Sequence, residues 1–244
     1  MLKSKKGCKR GYPVAVLASL EETYVALWKV FSRVVKHERN LAFDGTRSNS
    51  KALYNFHESM INALRPTLKE GVRSIILTSP PRTSYAKEFI NHVRQHHAWL
   101  TQGPSKAAFS QISGTASTRA QVEALIRTRG VHELISQTIS EETENLLDLL
   151  EKQLNTSNRG DSVLFSLEEA ENIILKRHKP DRLQPEYLLL TDRYLADSCQ
   201  KNRLNRLMQI AQNKNVKTRV IDAKSITGVR LTQLGGIVCI MQHE

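Results

Sequence analysis

Residues 92–97 read HVRQHH, a concentrated run of potential metal ligands. His92 and His96 stand four apart in a stretch whose apolar positions, Ala86, Phe89, Ile90 and Val93, mark one face of a helix. Two imidazoles at that spacing can share a metal ion, with His97 adjacent. The stretch lacks the Glu that a hydrolytic zinc helix uses as its base, and no carboxylate or Cys partner is evident nearby. The expectation is a solvated polar face with no metal site. Asp192 and Asp222 each follow an apolar run typical of a strand. Carboxylates there can line a ligand site in an open α/β sheet, but they also serve as helix caps, and Asp192 stands where a cap belongs. No G-x-x-x-x-G-K-[ST], G-x-G-x-x-G or G-x-S-x-G pattern occurs, so neither nucleotide hydrolysis nor a serine-hydrolase elbow is indicated. No catalytic residue and no cofactor is expected.

Cations carry more of the signal. Lys29, Arg33, Lys36, His37 and Arg39 fall close together, and Arg47 follows in a polar stretch. Lys and Arg on an exposed segment suit phosphate contacts, which are salt-sensitive and independent of base sequence. Tyr24, Trp28 and Phe31 lie among them and could stack on bases, though aromatic residues at such positions more commonly fill a core. A second cationic region follows Ser113, Gly114 and Thr115 and contains Arg119, Arg127 and Arg129. Residues 1–130 carry 21 Lys and Arg against 8 Asp and Glu, whereas residues 131–244 carry 15 against 16. One half thus holds the whole excess of +12 in a chain of pI about 9.8. A half of that character is expected to meet RNA or another polyanion. Three cysteines at wide spacing, Cys8, Cys199 and Cys239, offer no disulfide framework and fit a reducing compartment, so a cytoplasmic location is expected. No apolar run approaches the ~18 residues of a membrane span. The basic start, MLKSKKGCKRGY, lacks the apolar core of a secretory signal.

The elements that would position these residues follow from periodicity. Residues 13–19 and 23–35 are apolar and β-branched around a Leu-Glu-Glu turn, and predict a two-stranded hairpin. KHERN and DGTRSNS, which follow, read as a loop. Leu53, Phe56, Met60, Ile61, Leu64 and Leu68 form a helical stripe over 50–70, with Ser48, Asn49 or Ser50 as cap, Pro66 disturbing the last turn and Gly71 ending it. Strands are expected at 72–79 and 106–113. The order is a mixed sheet with helices packed on it. The second half opens with a helix over 131–154. Ser166 and Glu169 form a capping pair. Strands at 186–191, 216–222 and 235–241 then alternate with helical pieces, which predicts a largely parallel three-layer sandwich. The charge balance places the boundary between the two units near residue 130.

Several of these segments resemble the Pelota family, the ribosome-rescue relatives of the eukaryotic and archaeal class-I release factors. The run SITGVRLTQLGGIVCIM at 225–241 is similar to the family's closing pattern, with Leu231, Gln233, Leu234, Gly236 and Ile237 in matching places. EYLLLTDRYL and VKTRVID resemble its preceding strands, and ALYNFHESMINALRPTLKEGVRSIILTSPPRTSYAKEFI its central helix, strand, turn and helix. The resemblance implies an RNase H-like mixed-sheet central domain at 1–130 and a C-terminal α/β/α sandwich at 131–244. It also implies a non-enzymatic factor that binds stalled ribosomes, contacting rRNA and tRNA, in rescue and mRNA surveillance such as no-go and non-stop decay. Its expected partners are a translational GTPase and a ribosome-recycling ATPase, and no membrane. The family's short basic cluster matches KHER at 36–39.

Two departures stand out. The family's Ser-Pro-Gly-Phe turn, associated with the GTPase, reads Ser79-Pro80-Pro81-Arg82 here, so Pro80, Pro81 and Arg82 are the candidate partner-binding residues. The Sm-like N-terminal domain has no counterpart, which implies either a fragment or a member that engages ribosomes differently. No Gly-Gly-Gln occurs, and its place reads QISGTASTRAQ. The candidate RNA-binding residues are Lys29, Arg33, Lys36, Arg39, Arg47 and Arg119. Two other functions compete: peptidyl-tRNA hydrolysis with Gln111 or Gln121 on a mobile loop, and a protein-interaction module acting through the neutral half.

Overall fold

A computed structural model of the chain describes residues 11–103, 106–156, 162–175 and 184–242. The basic start up to Arg10, with Cys8, lies outside the described residues, as does most of the NTSNRGDS segment. The first unit runs β1 (Pro13–Leu20), β2 (Tyr24–Phe31), β3 (Val35–Ala42), α1 (Ser50–Lys69), β4 (Ser74–Ser79), α2 (Tyr85–His96), α3 (Ala98–Thr101), β5 (Ala108–Ser113) and α4 (Arg119–Arg127). Its five strands form one mixed sheet in the order β3-β2-β1-β4-β5. The pairs β1–β2 and β2–β3 are antiparallel, while β1–β4 and β4–β5 are parallel.

The alternation of β1 and β2 sorts their side chains onto two covered faces. Val16, Ala18, Leu20, Val25 and Leu27 join Phe56, Met60, Ile61 and Leu64 of α1 and Phe89, Ile90 and Val93 of α2. Ala15, Leu17, Ala26, Trp28 and Val30 face the other way, against Val122 of α4 and Ile135. A strand covered on both sides reads as a continuous apolar run, which is why the hairpin shows no clean two-sided pattern. The stripe over 50–70 becomes α1, with Asn49 as its cap: the side-chain oxygen accepts from the N–H groups of Lys51 and Ala52. Pro66 does not end the helix, which continues to Lys69.

KHERN is not a loop. Residues 36–40 belong to β3, the edge strand, and all five are exposed. Both faces of this stretch meet water, so it shows no apolar alternation, and its charges discourage pairing with another chain's edge.

From Arg129 to Thr156 runs α5, followed by β6 (Val163–Leu164), α6 (Leu167–Leu175), β7 (Pro185–Thr191), α7 (Asp192–Asp197), α8 (Lys201–Asn213), β8 (Lys217–Ile221), α9 (Ile226–Gln233) and β9 (Ile237–Met241). The second sheet has the order β6-β9-β7-β8. Among the described strands of this sheet only β7–β8 is parallel; β7–β9 and β6–β9 are antiparallel, which corrects the expectation of a largely parallel sheet. The three layers are present. Leu188, Leu190, Ile237 and Cys239 pack with Leu204, Leu207 and Ile174 on one side. Tyr187, Leu189, Val238 and Ile240 pack with Leu146, Leu150 and Leu231 on the other.

Helix α5 serves both sheets. Ile135 lies under the first and Leu146, Leu149 and Leu150 lie under the second. Between them Glu142 meets Arg219 of β8, Nη2 to Oε2 2.7 Å, and accepts hydrogen bonds from the Arg73 N–H at 3.2 Å and the Ser74 hydroxyl. Arg219 also donates to the carbonyls of Pro13 at 2.9 Å and Val14 at 3.3 Å. One buried ion pair thus ties β1, β4, α5 and β8 together. The Thr218 N–H adds a hydrogen bond to the Glu70 carbonyl, where α1 ends.

Candidate nucleic-acid interface

The candidate cations divide by environment. Arg33 stands in the turn between β2 and β3, and Lys36 and Arg39 stand on β3, all exposed. Backbone pairing fixes their register, with Lys36 opposite Lys29 and Arg39 opposite Leu27. A bulge falls between Leu27 and Trp28, and bulges re-aim side chains at sheet edges. Between the two cations His37 packs edge-on against Trp28 at 4.8 Å, and its Nε2 lies 2.8 Å from the Asn40 Oδ1. Trp28 is core, so it is no stacking platform. A groove of about 930 Å³ opens beside this edge, lined by Arg33, Lys29, Phe31 and Tyr12 from the first unit and by Asp192 and Lys201 from the second. Burial first, then Asp192 and Asp222, push the Tyr12 phenol above its ordinary pKa.

Two candidates are withdrawn by their packing. Lys29 is 8% exposed, and its Nζ is held by Glu70 at 2.5 Å and Glu38 at 3.7 Å. Its charge is neutralised within the fold, so it is not available to a phosphate. Arg47 lies over the Tyr85 ring at 3.5 Å, donates to the Glu21 carbonyl at 2.6 Å and pairs with Glu88 at 3.7 Å. Burial lowers its pKa, against the opposing pull of Tyr85 and Glu88. It clamps the loop after β3 onto the start of α2. Arg119 remains at the surface, in an exposed i, i+4 pair with Glu123 at 2.7 Å that water and salt readily loosen. Arg127 and Arg129 are also exposed.

The turn Ser79-Pro80-Pro81-Arg82 joins β4 to α2. The Thr83 N–H and hydroxyl both donate to the Pro80 carbonyl, at 3.3 and 2.7 Å. Arg82 has φ of 66°, the left-handed region that a non-glycine residue enters rarely. Pro81 and Arg82 are exposed, and Pro80 is half-buried.

The release-factor alternative meets two obstacles. The side-chain oxygen of Gln121 accepts from the N–H groups of Ser117 and Thr118, in a capping box with Thr118 that starts α4. Gln111 lies in β5, opposite Leu77, rather than on a mobile loop. Asp192 is not a cap either, since Thr191 caps α7 by accepting from the Tyr194 N–H at 3.1 Å. Asp192 instead accepts from the Ala223 N–H at 2.9 Å, and Asp222 closes its own turn on the Lys224 N–H. Both carboxylates are occupied with structure.

The histidine run is not a solvated face. His92 and His97 are buried, and both bring Nε2 to the same oxygen of Glu58, at 3.0 and 2.7 Å. Burial raises the pKa of Glu58, but hydrogen bonds from His97 and His92 outweigh it and leave the carboxyl below its usual range. Burial lowers His92 despite Glu58, and pushes His57, whose ring lies 5.0 Å from that of His92, down to about 4. Glu58 comes from α1, so spacing within the histidine run could not reveal it.

No family model matches the sequence, and no curated protein matches it. Solved structures do match. One is Saccharomyces cerevisiae Dom34, described as a translation termination-like factor involved in RNA quality control pathways and interacting with Hbs1. It is 20% identical with a TM-score of 0.51, over 97% of this chain and 66% of that one. Another is archaeal Pelota, ribosome-bound with ABCE1, 15% identical with a TM-score of 0.56, over 98% of this chain and 65% of that one. The chain therefore spans slightly less than two thirds of the length of these structures, and within that span its two α/β units have the fold of Dom34 and Pelota.

Proposed function

We propose that this chain is a Pelota-like translation factor that binds stalled ribosomes in ribosome rescue and mRNA surveillance, without itself catalysing peptide release. The observation that carries the proposal is the exposed cationic edge of the first sheet, Arg33, Lys36 and Arg39, on a fold like that of ribosome-bound Pelota. In this reading residues 1–130 form the basic unit that faces rRNA and tRNA, with Arg119 adding a contact, and residues 131–244 form the nearly neutral unit that meets protein partners. Lys and Arg on a rigid strand hold phosphates without reading bases, which suits docking on a folded RNA surface. A translational GTPase and a recycling ATPase are the partner classes, by analogy with Hbs1 and ABCE1 beside the relatives. The exposed Pro80-Pro81-Arg82 turn is the proposed GTPase contact. The proposed setting is the cytoplasm, in no-go and non-stop decay. Hydrolysis by Gln111 or Gln121 is not favoured, because one lies in a strand and the other caps a helix.

Co-sedimentation with ribosomes across a salt series tests this. Wild type should bind, with affinity falling steeply as salt rises. Lys36→Glu with Arg39→Glu should weaken binding at least tenfold and lower the log–log salt slope by about 0.7–0.9 for each phosphate that is no longer neutralised. Binding that ignores salt, or that both substitutions leave unchanged, refutes the assigned surface.

A further inference from the structure

Four of the chain's eight histidines gather where α1 and α2 run side by side. His57 and Glu58 come from α1, His92 and His96 from α2, and His97 is the residue that caps α2. Within this group Glu58, His92 and His97 form a convergent triad. One ligand atom from each lies within 4.8 Å of the other two, and both Nε2 atoms approach a single carboxylate oxygen. Two hydrogen bonds alone would be met equally well with one ring on each oxygen. Both rings instead aim at that one oxygen, which draws the three potential ligand atoms together on one side of the carboxylate.

The donor set, two imidazole nitrogens and one carboxylate oxygen, is that of zinc and its neighbours rather than of calcium or magnesium, which take mainly oxygen. Ligand atoms around a tetrahedral zinc ion lie about 3.3 Å apart, so small side-chain rotations convert the present spacing into coordination. The fold supports such an ion in two further ways. The site is at the C-terminal end of α2, where the helix dipole favours positive charge. Rings of Tyr54 and His57 stand edge-on to His92, each 5.0 Å away, and hold its orientation as outer-shell groups do around metals. Glu58 is the partly exposed member, which leaves a solvent-facing side for a water ligand.

We propose that Glu58, His92 and His97 bind a zinc-class divalent cation, with water as the fourth ligand, and that the ion staples the C-terminal end of α2 to α1. Each ring coordinates through Nε2 as the Nδ1–H tautomer. The proposal is independent of ribosome binding, because the triad uses none of the cations on β3.

The test is calorimetric titration of the full chain, stripped with chelator, with ZnCl2, repeated with Co2+ for its visible spectrum. Saturable binding of one equivalent is expected, with a raised melting temperature and tetrahedral-intensity cobalt bands that lack a thiolate charge-transfer band. Glu58→Gln and His97→Asn should each weaken zinc binding by about 100-fold or more. Far-UV circular dichroism without metal decides which variants are folded. Glu58→Gln keeps an acceptor for both rings and is the variant to read if His97→Asn melts early; if neither folds, the wild-type titration and cobalt spectrum decide. The proposal is overturned by the absence of saturable binding, by a folded variant that binds zinc within threefold of wild type, or by a thiolate band that places the metal on cysteine.

Discussion

Replacing Glu142 by Gln should destabilise the protein by about 3–5 kcal/mol, because it leaves the Arg219 guanidinium buried without its counter-charge. Both residues are 2% exposed. At the observed 2.7 Å the pair's gross attraction is about 6 kcal/mol at an effective dielectric constant of about 20. Desolvation of the two ions offsets most of that, so the intact pair contributes little net stability. Removing one charge loses the attraction and keeps the other ion's desolvation. The two carbonyls of Pro13 and Val14 still accept from Arg219, but they are dipoles rather than a charge. A loss of this size is at least about a fifth of a typical domain's stability of about 5–15 kcal/mol. Adding Arg219→Met to Glu142→Gln should recover at least about 2 kcal/mol, since the second change removes the stranded ion while Gln still accepts from Arg73 or Ser74. Urea titration of all four proteins, followed by far-UV circular dichroism, measures the cycle. A single-mutant loss below about 1 kcal/mol, or a double mutant that is simply additive, refutes the idea that this pair is a coupled, buried tie between the sheets.

Gly228→Ala should cost more than about 2 kcal/mol in the same titration, because the added Cβ would lie 1.9 Å from the Asp222 carbonyl oxygen and force α9 off the end of β8. A loss under about 0.5 kcal/mol, the range of an ordinary surface change, would show that the close approach is not needed. Cys239 should resist alkylation in the native protein while exposed Cys199 reacts, as mapped by peptide mass spectrometry. Burial pushes the Cys239 thiol up to about 12, so only about 10⁻⁵ of it is thiolate at pH 7, and reaction before unfolding would contradict that environment.

Much of the fold is legible in the sequence where burial leaves a helical stripe or a continuous apolar run. The α1 stripe, the Ser166–Glu169 pair and the apolar strands of both sheets occupy the expected places, and Glu169 accepts from the backbone N–H of Ser166 at 3.2 Å. What escapes has physical reasons. Strand β3 carries KHERN with both faces in water, so it lacks the alternation that marks a strand. Strand β6 has only two residues, too few for any period. The antiparallel course of β9 depends on which edge of β7 it reaches, and alternating helices and strands do not encode that. Among the candidate site residues, a count of charges could not see that Lys29 lies between Glu70 and Glu38 or that Arg47 lies over Tyr85. Nor could spacing along α2 reveal that the third member of the histidine cluster comes from another helix.

The run SITGVRLTQLGGIVCIM, which carries the strongest sequence resemblance, has structural reasons at five positions, while Ile226, Val229 and Gln233 are exposed. Ser225 caps α9 by accepting from the Gly228 N–H at 3.0 Å, Gly228 permits contact with the Asp222 carbonyl, and Leu231 enters the core shared with α5. The helix then closes on itself, with the Gly236 N–H reaching the Leu231 carbonyl at 2.8 Å, and Gly236 at φ 82° turns the chain into β9 beside Tyr194. Ile237 enters the core on the other face of the second sheet. These residues therefore have structural reasons to be what they are, and the match speaks to fold rather than to activity. The features proposed to bear on function lie elsewhere, on surfaces that the core does not constrain: the cations of β3 and the turn at 79–82. In the turn the chain departs from the resembled pattern, with Pro81 and Arg82 where Gly and Phe are expected. Pro81 and Arg82 of the turn are exposed and lie outside both cores, so substitutions there and on β3, rather than in the C-terminal run, are the ones that test the proposed contacts.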